Sequence, residues 1–289
     1  MDGEVRHPFW RWLIFGHVWV ALAVAAQTLW TALFLHEGVL ARRYALAAAL
    51  GAFAAYGITR LARVGGPEAR TYVNLQWYAA HKRIMYVLVG LAAAMAFLLV
   101  WSMWPRIWHI LLPAAALTFF YVTPFTTGNG RGIGLREVPF LKAVLIAALW
   151  AVIVVAVPLR LDPEGSSSMV IIGFTCMRVP LILALAILFD IRDQPTDDPA
   201  IRTFPLVFGI NGAKLIALLL LLCSAAFEVV FLRGLGHVAA SWTILAGYAF
   251  GLVLTIRAKP KRDPFYYAIL VDGVMIAIPL CGWLGVVLG

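Results

Sequence analysis

The sequence has little charge and few cysteines for its length. Lys, Arg, Asp and Glu make up 13% of its 289 residues, and 63% of the residues are apolar. Soluble globular domains carry about 25% charged residues, so an ordinary soluble domain is excluded. The three cysteines, Cys176, Cys223 and Cys281, lie far apart in apolar blocks. We therefore exclude a disulfide framework and a cysteine metal site, and we expect the cysteines to be buried packing residues.

Acidic residues are also scarce. The chain has 14 acids against 23 Lys and Arg, which gives a formal net charge of +9. These basic residues are spread over short loops between apolar blocks, a pattern that membrane topology and anionic lipid headgroups explain. We therefore expect a lipid bilayer, and no nucleic acid, as the partner of this charge.

Long apolar blocks dominate the sequence, each close to the roughly 20 residues that an α-helix needs to cross a bilayer. The pattern predicts an all-α integral membrane protein with a single transmembrane domain over residues 1–289. Nine spans are predicted, with approximate bounds Leu13 to Leu35, Tyr44 to Ile58, Ile84 to Trp101, Ile107 to Thr123, Leu141 to Leu159, Met169 to Phe189, Gly212 to Leu232, Val238 to Ile256 and Tyr266 to Leu288. The second span is rich in alanine, and small residues allow close helix approach, so we expect it to be central in the bundle.

The distribution of Lys and Arg predicts the orientation. If the N-terminus is cytoplasmic, seventeen of these residues fall in inner segments and five in outer segments, and Arg178 lies inside a span. Positive residues accumulate on the cytoplasmic side of membrane proteins. The loops after spans two, four, six and eight are therefore expected to be cytoplasmic. We expect a multi-pass protein of the bacterial inner (plasma) membrane, with its active side facing the cytoplasm.

The sixth span ends in an unusual concentration of charge. The stretch from Asp190 to Pro205 contains Asp190, Asp193, Asp197 and Asp198 together with Arg192 and Arg202. Asp190 and Asp193 are three residues apart, a spacing that places both carboxylates on one helix face. Pro195 disfavours further regular helix, so Asp197 is expected to return from a loop. Carboxylates at the point where a span meets the membrane surface are suited to bind Mg²⁺ together with substrate phosphates. The alternative interpretation is a solvated, charged helix cap.

The aspartate stretch resembles the second aspartate-rich motif of the UbiA-type intramembrane prenyltransferases. The matching residues are Asp190, Asp193 and Asp197, followed by Arg202-Thr203-Phe204-Pro205 and Gly209. Nine spans with a cytoplasmic N-terminus also match that family, so the resemblance implies a UbiA-like bundle. Its segment between spans four and five is similar to the stretch that holds Tyr121, Pro124, Arg136, Pro139 and Lys142.

The resemblance implies transfer of an isoprenyl chain from a prenyl diphosphate to an aromatic or lipidic acceptor. Asp190, Asp193 and Asp197 would be the catalytic residues and would hold one Mg²⁺. Two further sets are expected. The diphosphate would meet Arg60, Arg136, Lys142 and Arg202. A tunnel or pocket would include Phe120, Tyr56, Tyr121, Arg178 and Asp272.

The first aspartate-rich motif of the family is missing. Where it is expected, at the end of span two, the sequence reads Tyr56-Gly57-Ile58-Thr59-Arg60-Leu61-Ala62-Arg63. Arginines there would bind diphosphate directly, as bidentate donors without metal. In the alternative reading, the chain is a catalytically degenerate relative that binds an isoprenoid lipid or a protein partner. Transport is a third possibility, because charge inside spans also suits a substrate pathway.

Arg178 and Asp272 are the two clearest charges inside predicted spans. Arg178 is twelve residues before Asp190, about 18 Å along a helix, which is too deep for the same diphosphate. It is expected either to form a structural ion pair with Asp272 or Glu228 or to line a pocket. Asp272 is expected to face the bundle interior, because a charged side chain exposed to lipid is energetically costly.

Overall fold

The described part of the chain contains eleven α-helices, and three of them adjoin a π-helical stretch. The structure is a computed structural model and describes residues 8–34, 38–66, 73–122, 125–126, 132–133, 138, 140–162, 165–195, 202–260, 262–263 and 265–289, with the backbone alone at 118–122 and in two short strands. The helices are α1 Pro8–Phe15, α2 Val18–Ala32, α3 Val39–Arg63, α4 Val73–Ala80, α5 Lys82–Val122, α6 Leu141–Ala151, α7 Val157–Arg160, α8 Ser168–Asp193, α9 Phe204–Gly234, α10 Val238–Arg257 and α11 Asp272–Leu288.

The remaining elements are short. A π-helical stretch, Val152–Ala156, joins α6 to α7, and another, Tyr266–Val271, leads into α11. Strands β1 Phe125–Thr126 and β2 Gly132–Ile133 pair antiparallel. These strands lie in the segment between α5 and α6, so they do not alter the helical character of the bundle.

The bundle is that of a multi-pass membrane protein. In the described ranges, seven helices are long and apolar enough to cross a membrane, or eight if the bent pair α1 and α2 counts as one span. Large apolar side chains cover the outside, and Leu98, Trp101 and Val230 are each more than 60% exposed. Such a surface is stable in contact with lipid and would be a liability in water.

Most predicted spans lie within observed helices. The ninth, Tyr266 to Leu288, agrees with the observed bounds. Helices α3 and α8 extend beyond their predicted spans, to Arg63 and Asp193, because polar residues continue a helix at the membrane surface without cost. Helix α9 begins earlier than predicted and is kinked at Gly209, whose φ of 70° and ψ of 168° are not helical.

The predicted turn between spans three and four is wrong. Residues 82–122 form one helix, with Pro105 and Pro113 inside it. Proline is tolerated in apolar helices when neighbouring groups satisfy the freed backbone carbonyls. The 41 residues of α5 correspond to about 62 Å of ideal helix, roughly twice the thickness of the hydrocarbon core.

Two other predictions need correction. The first span is bent by 58° between α1 and α2, because His17 adopts a left-handed conformation with φ of 59°. The loop predicted after span two contains α4, whose Leu75, Trp77 and Tyr78 are buried.

Small residues set the helix packing. A Cβ on Gly247 of α10 would lie 2.7 Å from the Ile278 Cα of α11, so these helices approach at a distance that only glycine permits. In α3, buried alanines face α2 and α5, as expected for close packing; they are Ala41, Ala45, Ala47, Ala48, Ala52 and Ala54. The three cysteines differ from expectation: Cys176 and Cys223 are exposed and Cys281 is half-buried, so they lie on apolar outer surfaces instead of in the core.

The two ends of the bundle differ in charge. At one end the Lys142 Nζ meets Asp190, the Phe140 N–H donates to the Arg202 carbonyl over 3.2 Å, and the Lys214 Nζ donates to the Ile256 carbonyl over 3.0 Å. We call this the basic end, defined by Arg60, Lys142, Arg192, Lys214 and Arg257. The opposite end contains the N-terminus of α8 and the C-terminus of α9.

Candidate functional site

Asp190 and Lys142 form an ion pair at the basic end. Asp190 lies in the last turn of α8 and is only 3% exposed. The Lys142 Nζ donates to its Oδ1 over 3.1 Å. Lys142 reaches this position because α6 begins directly after Phe140, which turns the chain with φ of 61°. The first acid of the aspartate stretch therefore meets a basic residue from the start of the fifth predicted span.

Asp193 is held by its neighbour Arg192. The Arg192 Nε donates to Oδ1 over 2.7 Å and a terminal nitrogen donates to Oδ2 over 2.9 Å. The same guanidinium lies over two rings, with its Cζ 4.8 Å from the centre of Phe189 and 5.8 Å from that of Tyr267. Stacking and bidentate pairing together fix the plane of this group.

Arg60 brings a second guanidinium to the same region. It lies near the C-terminal end of α3, within electrostatic range of Arg192 and of Tyr78. Its Nε is buried, and no described residue accepts a hydrogen bond from it. Two neighbouring guanidiniums repel each other unless an anion lies between or beside them. Arg192 is already paired with Asp193, so the buried Nε of Arg60 is the group here that favours an additional anionic ligand.

Aromatic side chains line the membrane side of Arg60. The His17 ring stacks on Tyr56 with 5.0 Å between ring centres, and Tyr56 in turn stacks on Trp150 at 6.4 Å. Tyr78 is fully buried. Burial raises its pKa to about 12, and the nearby positive charge of Arg60 opposes part of that rise.

Three buried polar atoms around Arg60 lack a hydrogen-bond partner among the described residues: Arg60 Nε, His17 Nε2 and Tyr78 Oη. A buried polar group without a partner costs about 1–3 kcal/mol. Such groups are rare in folded proteins, and a cluster of them is typical of a place that a ligand or water fills. The cluster adds hydrogen-bonding capacity beside the two guanidiniums.

Asp272 completes the charged groups near the basic end. It begins α11 directly after the π-helical stretch Tyr266–Val271, and π-helical turns are frequent at functional sites. Arg192 and Tyr56 both lie within electrostatic range of it. The structure thus brings Asp272 together with predicted pocket residue Tyr56.

Arg178 belongs to a different part of the bundle. Its two terminal nitrogens donate to Glu228 over 3.2 and 2.9 Å. Glu228 also accepts from the Trp30 Nε1 and the Tyr248 hydroxyl, each over 2.6 Å. Of the two partners expected for a structural ion pair, the structure selects Glu228. Arg178 also lines a cavity, which lies apart from the basic end.

The remaining predicted site residues are Arg202, Asp197, Arg136, Phe120 and Tyr121. Arg202 is exposed. Asp197, Arg136 and the side chains of Phe120 and Tyr121 lie outside the described residues. Within the described residues, no three His, Cys, Asp or Glu side chains are close enough to hold a metal ion. Both described acids of the stretch, Asp190 and Asp193, are engaged by basic side chains.

Sequence reasoning missed His17, Tyr78 and the position of Arg192. His17 follows Gly16 inside an apolar stretch. A glycine next to a polar residue indicates a break in the helix, but the mean hydropathy of the stretch conceals it. Tyr78 lies in a segment whose sequence predicts a polar loop. Arg192 was part of the aspartate stretch, but its pairing with the adjacent Asp193 has no sequence signature.

Comparison with known proteins adds no assignment. No protein-family model, curated protein or solved structure matches this chain. The resemblance to the UbiA-type enzymes therefore rests on the aspartate stretch, the segment that holds Lys142 and the predicted spans.

Proposed function

We propose that the protein binds a prenyl diphosphate at the basic end of the bundle and transfers the isoprenyl chain to an aromatic or lipidic acceptor. The observation that carries the proposal is the meeting of Asp190 with Lys142, 48 positions away in the sequence. The UbiA resemblance assigns one residue to the aspartate motif and the other to the diphosphate-binding segment. Their contact joins two parts of the expected site.

The cations of the basic end suit the leaving group. In the reaction, the allylic C–O bond breaks and the diphosphate departs with the bonding electrons. The acceptor then forms the new bond to the allylic carbon and releases a proton. Arg60, Lys142 and Arg192 are placed to neutralise the charge that develops on the diphosphate. The aromatic side chains of Tyr56 and Trp150 lie on the membrane side, where an apolar chain and a developing cation need shelter from water.

Magnesium enters the proposal with a restriction. The pairing of Asp190 and Asp193 with basic side chains does not by itself form a metal site. One Mg²⁺ held by these two residues and Asp197 remains a prediction, and Asp197 lies outside the described residues. When bound, a magnesium ion would add charge neutralisation at the diphosphate. No step above depends on it.

A specific observation favours a second candidate, a protein that binds an isoprenoid lipid without turning it over. Arg60 stands where the family places acidic metal ligands, and both described acids already pair with cations. Such a site would retain a phosphorylated headgroup without breaking the allylic bond. The two candidates share the ligand and differ in release of diphosphate.

The proposed topology has nine crossings and a cytoplasmic N-terminus. Ile107 of α5 shares a buried cluster with Leu159 and Leu161 at the end opposite to Asp190. Leu141, which begins α6, lies beside Lys142 at the basic end. We infer that the chain returns across the bundle between Ile107 and Leu141, and this return would be a ninth crossing beside the seven or eight that the described helices provide.

Release of diphosphate from labelled geranyl, farnesyl and geranylgeranyl diphosphates tests the function. The purified protein, supplied with Mg²⁺ and a membrane extract as the source of acceptor, is expected to release diphosphate with at least one chain length. Lys142→Gln should reduce the rate at least tenfold. Lys214→Gln is the matched control, because Lys214 lies at the same end and donates to the Ile256 carbonyl. Saturable binding without release would favour the second candidate.

A further inference from the structure

A cavity of about 240 Å³ lies in the other half of the bundle, and the proposed function does not use it. It is larger than the ~150 Å³ cavity that accommodates benzene in an engineered protein. Residues from the second, eighth and ninth helices and from the segment before α8 line it. Its lining includes Ser166 and the exposed side chains of Val170 and Leu235, all at the end opposite to the basic end. We therefore infer that the cavity opens on this side.

The floor of this cavity is a rigid network of buried polar side chains. Arg178 lies ten residues into α8, about 15 Å from the start of that helix. It holds both carboxylate oxygens of Glu228. Glu228 also accepts from Trp30 and Tyr248, and the Tyr248 hydroxyl is 2.8 Å from the Ser224 Oγ. The charges of Arg178 and Glu228 therefore compensate each other, and the acceptors of Glu228 are occupied.

Four aromatic rings form the walls. Phe174 and Phe231 meet edge to face with 4.3 Å between ring centres, and Trp30 and Phe34 do so at 4.9 Å. Phe34 also contacts Phe231 at 5.6 Å. These rings provide an apolar surface for the body of a ligand, and aromatic rings also attract organic cations.

Asp162 contributes a carboxylate to the cavity that does not belong to this network. Its side chain lines the cavity, and its Oδ1 is buried without a hydrogen-bond donor among the described residues. Because Glu228 is balanced by Arg178, Asp162 contributes one negative charge that no described side chain neutralises. The Asp162 side chain is half-buried, but its buried Oδ1 requires a hydrogen-bond donor, and a positively charged donor would also balance the carboxylate.

From this geometry we propose that the cavity is a binding site for a small organic ammonium with an aromatic or aliphatic body. The ammonium head would donate to Asp162, and the body would lie among Trp30, Phe34, Phe174 and Phe231. The network of Arg178 and Glu228 would form the fixed floor. This site is separate from the basic end, since Arg178 and Asp190 are about 18 Å apart along α8.

Three ring-fluorinated probes that share a phenethyl group and differ in their polar group test the proposal. They are phenethylammonium, phenethyl alcohol and 3-phenylpropionate. Binding to the full protein in nanodiscs is followed by ¹⁹F NMR, with empty nanodiscs to correct for partition into lipid. The ammonium should bind saturably and at least tenfold more tightly than the alcohol, and the propionate more weakly still. Equal binding of the ammonium and the alcohol would overturn the proposal.

Variants then locate the site. Asp162→Asn keeps the shape of the side chain and should weaken ammonium binding at least tenfold. Ser166→Trp fills the mouth and should do the same without altering the charged network. Lys142→Gln, at the basic end, should leave ammonium binding unchanged, which separates this site from the proposed transferase function. Unchanged ammonium binding in both Asp162→Asn and Ser166→Trp would contradict the assignment.

Discussion

The Lys142 Nζ lies 3.1 Å from the Asp190 Oδ1 and joins the start of α6 to the end of α8. The carboxylate of Asp190 is almost fully buried, whereas the side chain of Lys142 is 27% exposed. Removing the lysine leaves a buried carboxylate with less compensation, and such a loss is more costly than removal of both partners. The pair therefore contributes to the packing of α6 on α8 as well as to the proposed site.

A double-mutant cycle on this pair should show coupling. We expect Lys142→Ala and Asp190→Ala each to lower the thermal stability in detergent. The double variant should lose less than the sum, by about 1–3 kcal/mol. That range takes into account the partial exposure of Lys142, which screens the interaction. Additive losses would show that the two side chains do not interact in the folded protein.

Loss of the charge on Glu228 should be more damaging. Glu228→Gln leaves the Arg178 guanidinium in the bundle without a counter-charge, and such a change costs about 3–5 kcal/mol. The combined variant Arg178→Met with Glu228→Gln removes both charges and should recover part of the loss. Thermal unfolding in detergent measures both effects, and the exposed Asp263→Asn serves as control. A combined variant that is less stable than Glu228→Gln alone would contradict this reading of the network.

The buried phenol of Tyr78 predicts a pH dependence. Its pKa is raised to about 12 in the folded protein, from an ordinary value of 10.0. The unfolded chain therefore loses this proton first, so the contribution of Tyr78 to stability is complete below pH 10 and declines as the pH rises towards 12. Wild type should lose more stability over this interval than Tyr78→Phe in thermal melts. The same decline in both proteins would exclude Tyr78 as its source.

The proposed topology can be mapped with single cysteines. In a background without the three natural cysteines, which lie inside spans, cysteines are introduced at Asp263, Val138, Arg106 and Gly165. Membrane-impermeant maleimide should label Asp263→Cys and Val138→Cys only from the cytoplasmic side, and Arg106→Cys and Gly165→Cys only from the other side. Right-side-out and inside-out vesicles provide the comparison. Labelling of positions 106 and 138 from one side would contradict a return crossing between them.

The sequence predicted the positions of the helices more accurately than the bends within them. Apolar block length placed most of the helices because a bilayer demands about 20 apolar residues for each crossing. It failed around Pro105, because the predicted break between Trp101 and Ile107 lies within the continuous helix α5. It also failed at His17, where one left-handed residue bends the chain without changing the apolar average.

At the site, the sequence identified residue types and left their partners open. Asp190 stood out because charge near a membrane span is expensive, and Lys142 and Arg60 were identified through the UbiA resemblance. Which cation meets which acid depends on helix rotation and on turns such as Phe140, and neither is encoded by spacing alone. Arg178 shows the limit clearly: Asp272 and Glu228 were equal candidates, and only the packing of α8 against α9 distinguishes them.

The most direct test of the central claim is equilibrium binding of a prenyl thiolodiphosphate, an analogue that resists loss of its leaving group. The account predicts saturable binding to the purified protein. Arg60→Gln and Lys142→Gln should each weaken it at least tenfold, while Arg257→Gln, an exposed arginine at the same end, should leave it unchanged. Binding that is absent, or that is equal in all four proteins, would contradict the assignment of the basic end to a phosphorylated isoprenoid.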